Sequence, residues 1–279
     1  MKNNITLKLD LSKYDSIPKI IHVSWKTKDI LNNQSPIIQN GFANLKKLNP
    51  DYTMEISDDR DVEQYLKSKL NKWDYFKIKN KKIVEKIDLW RLLKIYFEGG
   101  IYVDLDRYCN ISFAEIIQKD TKCILPTHGD TDFSQDLMIS CKGNPIFKKA
   151  IEYNLAARYL LNPRGVFHLG PPIYMRAVTE SVFGKRTKRK PGSPIMEEFR
   201  TLLKKSTYFQ TYKELMPDNS LIFKYDKSTF QEGNGLGKDE FYKTQKVTPW
   251  SSGYDKNTIL LFIVVSLIAI IISVAKALL

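Results

Sequence analysis

The stretch "KIDLWRLLKIYFEGGIYVDLD" sets the tightest limit on how this chain can fold. Before its glycine pair, Ile83, Ile87, Trp90, Leu93 and Phe97 recur at steps of three and four, the spacing that lines one face of an α-helix. After it, "IYVDLD" is a run of strand formers. Gly99 and Gly100 end the helix, because glycine accepts the left-handed backbone that helix C-termini favour. The strand closes on two aspartates, Asp104 and Asp106, with one leucine between them. On an extended chain both would leave the same face, where like charges repel.

The same alternation continues upstream. "KIIHVSW" (19–25) is a β-branched run after Pro18 and predicts the first strand. "PIIQNGFANLKKLN" has helical apolar spacing and stops at Pro50; "YTMEIS" reads as a short strand, and "DVEQYLKSKL" as a helix. Strands alternating with helices predict an α/β domain with a largely parallel sheet, spanning about residues 1–250. With 279 residues and 43% hydrophobic content the chain can bury a sizeable core, which excludes a disordered class. No internal repeat or low-complexity tract interrupts the pattern.

Charge and termini narrow the partners. A formal net charge of +13 favours anionic ones, such as nucleotide phosphates or lipid head groups. The basic run "GKRTKRKPG" (184–192) has no interleaved aromatics and no nucleic-acid motif beside it, so nucleic acid is not an expected partner. It reads as a solvated loop, or as a site of attraction to anionic membrane lipid. Three cysteines, Cys109, Cys123 and Cys141, have no metal-like spacing and make no disulfide framework, which suits a reducing compartment. The first thirty residues hold neither a secretory apolar core nor an arginine-rich transit helix. After a polar linker (251–257), residues 258–275 carry no charge; as a helix they would extend about 27 Å, close to the hydrocarbon thickness of about 30 Å. This predicts a C-terminal transmembrane helix that leaves the preceding domain in the cytosol.

Two carboxylates at one strand end are stabilised by a hard divalent cation. Mn²⁺ or Mg²⁺ would take their oxygens and complete its shell with substrate phosphates. Asp88 and Arg91, at i and i+3 on the long helix, flank its apolar stripe. They read either as an intrahelical ion pair or as side chains aimed beyond the strand's carboxyl end, where open α/β sheets bind ligands. His22 alternates inward on the first strand and reads as a core histidine rather than a ligand.

"IPKIIHVSWKT", followed by Lys86-x-Asp88-x-x-Arg91 and Gly99-Gly100-x-Tyr102-x-Asp104-x-Asp106, resembles the DXD sugar-binding region of glycosyltransferase family thirty-two. That group includes yeast α-mannosyltransferases and inositol-phosphoceramide mannosyltransferases. "DLMISCKGNPIFKKAI" and "HLGPPIYMRAV" resemble later family elements more loosely. The resemblance implies one Rossmann-like nucleotide-sugar-binding domain of the GT-A type. It implies a metal-dependent, retaining transfer of a hexose from a nucleotide diphosphate sugar to a glycan or glycolipid hydroxyl. By the same resemblance, Asp104 and Asp106 hold the metal, and Asp88 and Arg91 contact the sugar and diphosphate. Trp25 lies near the base, while Thr248 and Trp250 complete the nucleotide side. The family's C-terminal histidine or acid has Gln245 as its nearest counterpart. Two other readings of the chain are a catalytically silent sugar or nucleotide binder and an aspartate-nucleophile phosphohydrolase. The latter normally continues D-x-D with Gly-Thr, where Arg107 and Tyr108 stand here.

Overall fold

A computed structural model of the chain describes residues 8–33, 36–105, 108–128, 132–133, 135–157, 170–184, 206, 208–211, 223–224 and 256–278. The run after Pro18 forms β1 (Ile20–Ser24), and a short α1 (Ile30–Asn33) precedes α2 (Pro36–Leu48). β2 (Thr53–Ser57) leads into α3 (Asp59–Lys69), whose start is fixed by a capping box. Asp58 accepts from the Asp61 backbone at 2.9 Å, and Asp61 accepts from Asp58 at 3.1 Å. α4 (Lys72–Ile78), capped by Asn71, is followed by α5 (Ile83–Glu98) and β3 (Gly100–Val103). Then come β4 (Tyr108–Cys109), α6 (Phe113–Ile116), β5 (Cys123–Leu125), β6 (Thr127–His128), β7 (Asp132–Phe133), β8 (Leu137–Ser140) and α7 (Pro145–Ala157). A helix over Pro171–Phe183, β9 (Phe209–Thr211), β10 (Phe223–Lys224) and a helix over Lys256–Leu278 complete the described elements.

Six strands form one sheet in the order β2-β1-β3-β8-β5-β9. The expected parallel arrangement holds where β1 pairs with β2 and with β3, and again between β5 and β9. It fails at β8, which runs antiparallel to both β3 and β5, so the sheet is mixed. The reason is local: "LMIS" is buried throughout, and so short a strand carries no sign of its direction.

Hydrophobic packing covers both faces. Ile21, Val23, Ile101 and Val103 pack in one core with Phe42 and Leu45 of α2. Tyr102 and Met138 point the other way, into a core with Leu89, Trp90 and Leu93 of α5. α5 also packs against α3 and α7, so polar residues off its apolar stripe, among them Asp88, Arg91 and Lys94, are buried too. All three cysteines are free and buried, and burial pushes the thiol of Cys109 up to about 12 and that of Cys141 up to about 11.

The C-terminal helix begins at Lys256, inside the segment expected as linker. Among the described residues no helix is long and apolar enough to cross a membrane, so the expected transmembrane helix over 258–275 stands in the structure as a helix and not as a span.

The glycine pair that separates helix from strand is required by more than helix termination. Gly99 and Gly100 have φ of 71° and 95°, and a Cβ on Gly100 would stand 2.6 Å from the Ile20 carbonyl oxygen. The strand therefore meets β1 at a distance only glycine permits. Gly100→Ala is expected to lower the free energy of unfolding by about 3 kcal/mol, read as a shifted urea midpoint. An unchanged midpoint would show that the two strands are not in this contact.

Candidate active site

α5 runs antiparallel to β3 across the glycine turn, which brings the middle of the helix over the strand's carboxyl end. There Arg91 joins three segments. Its Nη2 is ion-paired with Asp88 Oδ1 one turn earlier. Its Nη1 donates to the Gln135 carbonyl at 3.0 Å and lies 3.5 Å from both oxygens of Asp104. The guanidinium also stands over the Tyr102 ring, 5.3 Å from its centroid. Tyr102 donates its hydroxyl to Asp104 Oδ1, and the Asp104 backbone donates to the Asp136 carbonyl at 2.9 Å. Burial, and then the charge of Asp104, push the Tyr102 phenol well above its ordinary range, so it remains a donor.

Exposure grades across the cluster. The Asp88 side chain is 2% exposed, that of Arg91 10% and that of Asp104 32%. Several buried polar atoms here have no hydrogen-bond partner among the described residues: Asp88 Oδ2, Arg91 Nε and both amide atoms of Gln135. Such groups are expensive to leave open. A ligand rich in hydroxyls and phosphate oxygens would complete them.

One layer deeper the chemistry is closed. Lys94, one turn beyond Arg91, bonds to Glu55 at 3.1 Å and to Glu98 at 2.9 Å. His22 faces Glu55 with Nδ1 at 3.0 Å and the Gly99 carbonyl with Nε2 at 2.9 Å. The ligand atoms of His22, Glu55 and Glu98 lie within 4.8 Å of one another, the geometry of a metal site. The Lys94 ammonium already supplies the cation, and His22 is the core histidine the sequence suggested.

Asp88, Arg91 and Asp104 are thus brought together. The two readings of the helical pair merge, since Asp88 and Arg91 form a buried ion pair that also reaches the strand end. Trp25 follows β1, its backbone donating to the Ser57 carbonyl at 3.0 Å, and is half-buried. Because β1 and β3 are parallel, Trp25 lies at the same edge of the sheet as Asp104. Asp106, Gln245, Thr248 and Trp250 lie outside the described residues, as does the basic run from 185 to 192. Tyr102 and Gln135 are additions that sequence reasoning missed. Tyr102 carried a signal, standing two residues before Asp104 and so on its face of the strand. Gln135 carried none.

Residues 36–122, which contain the helix-borne pair and the aspartate at the strand end, match the family model described as a glycosyltransferase sugar-binding region containing a DXD motif. Among characterised proteins the chain is similar to yeast proteins named for inositol phosphoceramide mannosylation. It is 28% and 31% identical, over 137 and 138 residues, to the Saccharomyces cerevisiae mannosyl phosphorylinositol ceramide synthases SUR1 and CSH1. It is 26% identical over 144 residues to the Schizosaccharomyces pombe inositol phosphoceramide mannosyltransferase 3. Each match takes in 49% of this chain and only 34–36% of the relative. Among solved structures it is similar to the PaToxG glycosyltransferase, with 17% identity and a TM-score of 0.49 over 88% of this chain and 91% of that one.

The closed layer makes a pH prediction. The hydrogen bond to His22, against the opposing effect of burial and with help from Lys94, holds the Glu55 carboxyl down at about 2, below its ordinary 4.5. A depressed carboxylate contributes stability that is complete above the unfolded value and lost as pH falls through the folded one. Glu55→Gln should therefore lower the urea midpoint at pH 6, and the gap to the parent should close between pH 4.5 and about 2. A gap that stays constant through that window would contradict the assignment.

Proposed function

We propose that this chain is a divalent-metal-dependent glycosyltransferase. It moves a hexose from a nucleotide diphosphate sugar to a hydroxyl of a glycan or glycolipid, with retention of configuration. The observation that supports this best is the buried Asp88–Arg91 pair meeting Asp104 at the carboxyl edge of the sheet. Retention rests on the family resemblance alone.

The residues suit the metal. Asp104 offers hard carboxylate oxygens, is partly open to solvent, and is oriented by the Tyr102 hydroxyl. Asp106, two residues on in the sequence, would supply the second carboxylate, and such an all-oxygen set fits Mn²⁺ or Mg²⁺. A bound ion supplies Lewis-acid stabilisation of the departing diphosphate. The remaining work belongs to side chains. At 3.5 Å, the approach of Arg91 Nη1 to Asp104 is long for a charge-assisted bond, so while one N–H of that nitrogen stays on the Gln135 carbonyl the other is available to a diphosphate oxygen. Asp88 Oδ2 accepts from a sugar hydroxyl, and the open amide of Gln135 can both donate to and accept from another. The names of the yeast relatives favour an inositol-phosphoceramide-like acceptor, whose anionic head suits a chain of net charge +13.

With Mn²⁺ present and no acceptor, the protein should slowly release nucleoside diphosphate from its donor. Asp104→Asn or Asp106→Asn should abolish that release, and Arg91→Lys, which keeps the charge and loses the planar fork, should reduce it about 100-fold. Release of inorganic phosphate instead would identify a phosphohydrolase, and no release with any donor would identify a silent binder.

This proposal keeps the domain in the cytosol, on the support of sequence alone. In intact membranes the domain should be open to added protease, and resistance until detergent is added would place it in a lumen instead.

A further inference from the structure

We propose that α4 is a docking surface for an anionic lipid bilayer, with its C-terminal end directed toward the edge of the sheet that carries Asp104. Trp73 is 67% exposed and Phe76 43% exposed, and their rings stack with centroids 5.8 Å apart and planes 12° from parallel. Single exposed apolar residues are ordinary, but a stacked pair containing tryptophan is a patch that calls for a partner. Lys72 and Lys79 are exposed and, at helical spacing, share the face of Phe76; the Lys79 ammonium lies 4.6 Å from the Phe76 centroid. The one acidic residue of the helix, Asp74, is neutralised by Lys77 at 2.6 Å. Aromatic rings between lysines suit the boundary where acyl chains meet negative head groups.

Position supports the choice. α7 starts beside the C-terminus of α5, where the Gly143 backbone donates to the Tyr96 carbonyl at 2.8 Å, and runs toward the carboxyl end of β3. Lys77 donates to Leu155, near the far end of α7, at 3.3 Å. The C-terminal end of α4, where the Lys86 ammonium also reaches the Lys79 carbonyl at 2.7 Å, is therefore held toward the edge that carries Asp88, Arg91 and Asp104. A membrane lying on Trp73 and Phe76 would bring lipid head groups to that edge. A second copy of this chain is a poorer occupant, because a +13 protein repels itself and the patch is itself rimmed by lysine. The inference stands on surface chemistry and not on the donor reaction, so it can fail without the proposed transfer failing.

The test uses the full chain, with an environment-sensitive nitrobenzoxadiazole label on Trp73→Cys and, in a separate protein, on Lys47→Cys. Lys47 is exposed near the end of α2, at the opposite edge of the sheet. The native thiols are buried with raised pKa values, so they should not compete for label. Phosphatidylcholine vesicles carrying doxyl-lipid quencher are added, with and without phosphatidylserine. The proposal expects at least about threefold more quenching at 73 than at 47 in anionic vesicles, reduced toward the level at 47 by Lys72→Glu/Lys79→Glu. Equal quenching at both positions in a chain that co-sediments with the vesicles would overturn it, by assigning all binding to the C-terminal helix. The same quenching without phosphatidylserine would overturn the anionic choice. A label at 73 already shielded before lipid is added would also overturn the proposal: concentration-dependent shielding would assign the patch to a second copy, and concentration-independent shielding to the chain's own remaining residues.

Discussion

The Arg91 guanidinium is the interaction on which the rest depends. A cation with a side chain only 10% exposed must be paired and hydrogen-bonded to be tolerated, and Arg91 meets that demand with groups from three segments: Asp88 on its own helix, Asp104 beyond β3 and the Gln135 carbonyl before β8. Arginine stays charged across the accessible pH range and its donors lie in a fixed plane, so it sets an angle between segments as well as a distance. The antiparallel β8, which breaks the parallel sheet, is the strand whose approach delivers Gln135 to this plane.

Asp88, Arg91, Lys94 and Glu98 form one polar stripe along α5, yet its two ends differ in kind. At the inner end every charged group has its partner: Lys94 with Glu55 and Glu98, and His22 with Glu55 and the Gly99 carbonyl. A network closed in this way rigidifies a core. At the outer end Asp88 Oδ2, Arg91 Nε and the Gln135 amide have no partner among the described residues. One helix thus carries an anchored layer that holds it against β1 and β2, and one turn away an open layer with bonding capacity to spare. That contrast, more than the presence of charges, separates the candidate site from an ordinary buried ion-pair network.

Two apolar features bear on membranes, and they are separate in the chain. The C-terminal helix carries exposed isoleucine, leucine and valine from Ile263 to Val274 on every side, whereas α4 presents only Trp73 and Phe76 on one lysine-flanked face. The first is a pattern of length and uniformity, the second a pattern of position.

What the sequence determined by itself was whatever local periodicity and backbone chemistry dictate. The spacing of Ile83, Ile87, Trp90, Leu93 and Phe97 specified α5, the β-branched run specified β1, and Gly99–Gly100 specified the sharp turn between helix and strand. Because helix, turn and strand are consecutive, the meeting of Asp88 and Arg91 with Asp104 followed from the same short stretch. Tertiary structure alone decided the rest. The direction of β8 depends on how the chain between Asp104 and Asp136 returns to the sheet, and nothing in a fully buried four-residue strand records it. Gln135 enters the site only through that return. The stacking of Trp73 on Phe76, left in solvent, depends on where α3, α5 and α7 bury their own apolar faces. Periodicity acts within one element, but burial is set between elements far apart in the chain, so the sequence showed the hairpin of helix and strand that carries the candidate site, and only the packed molecule showed what surrounds it.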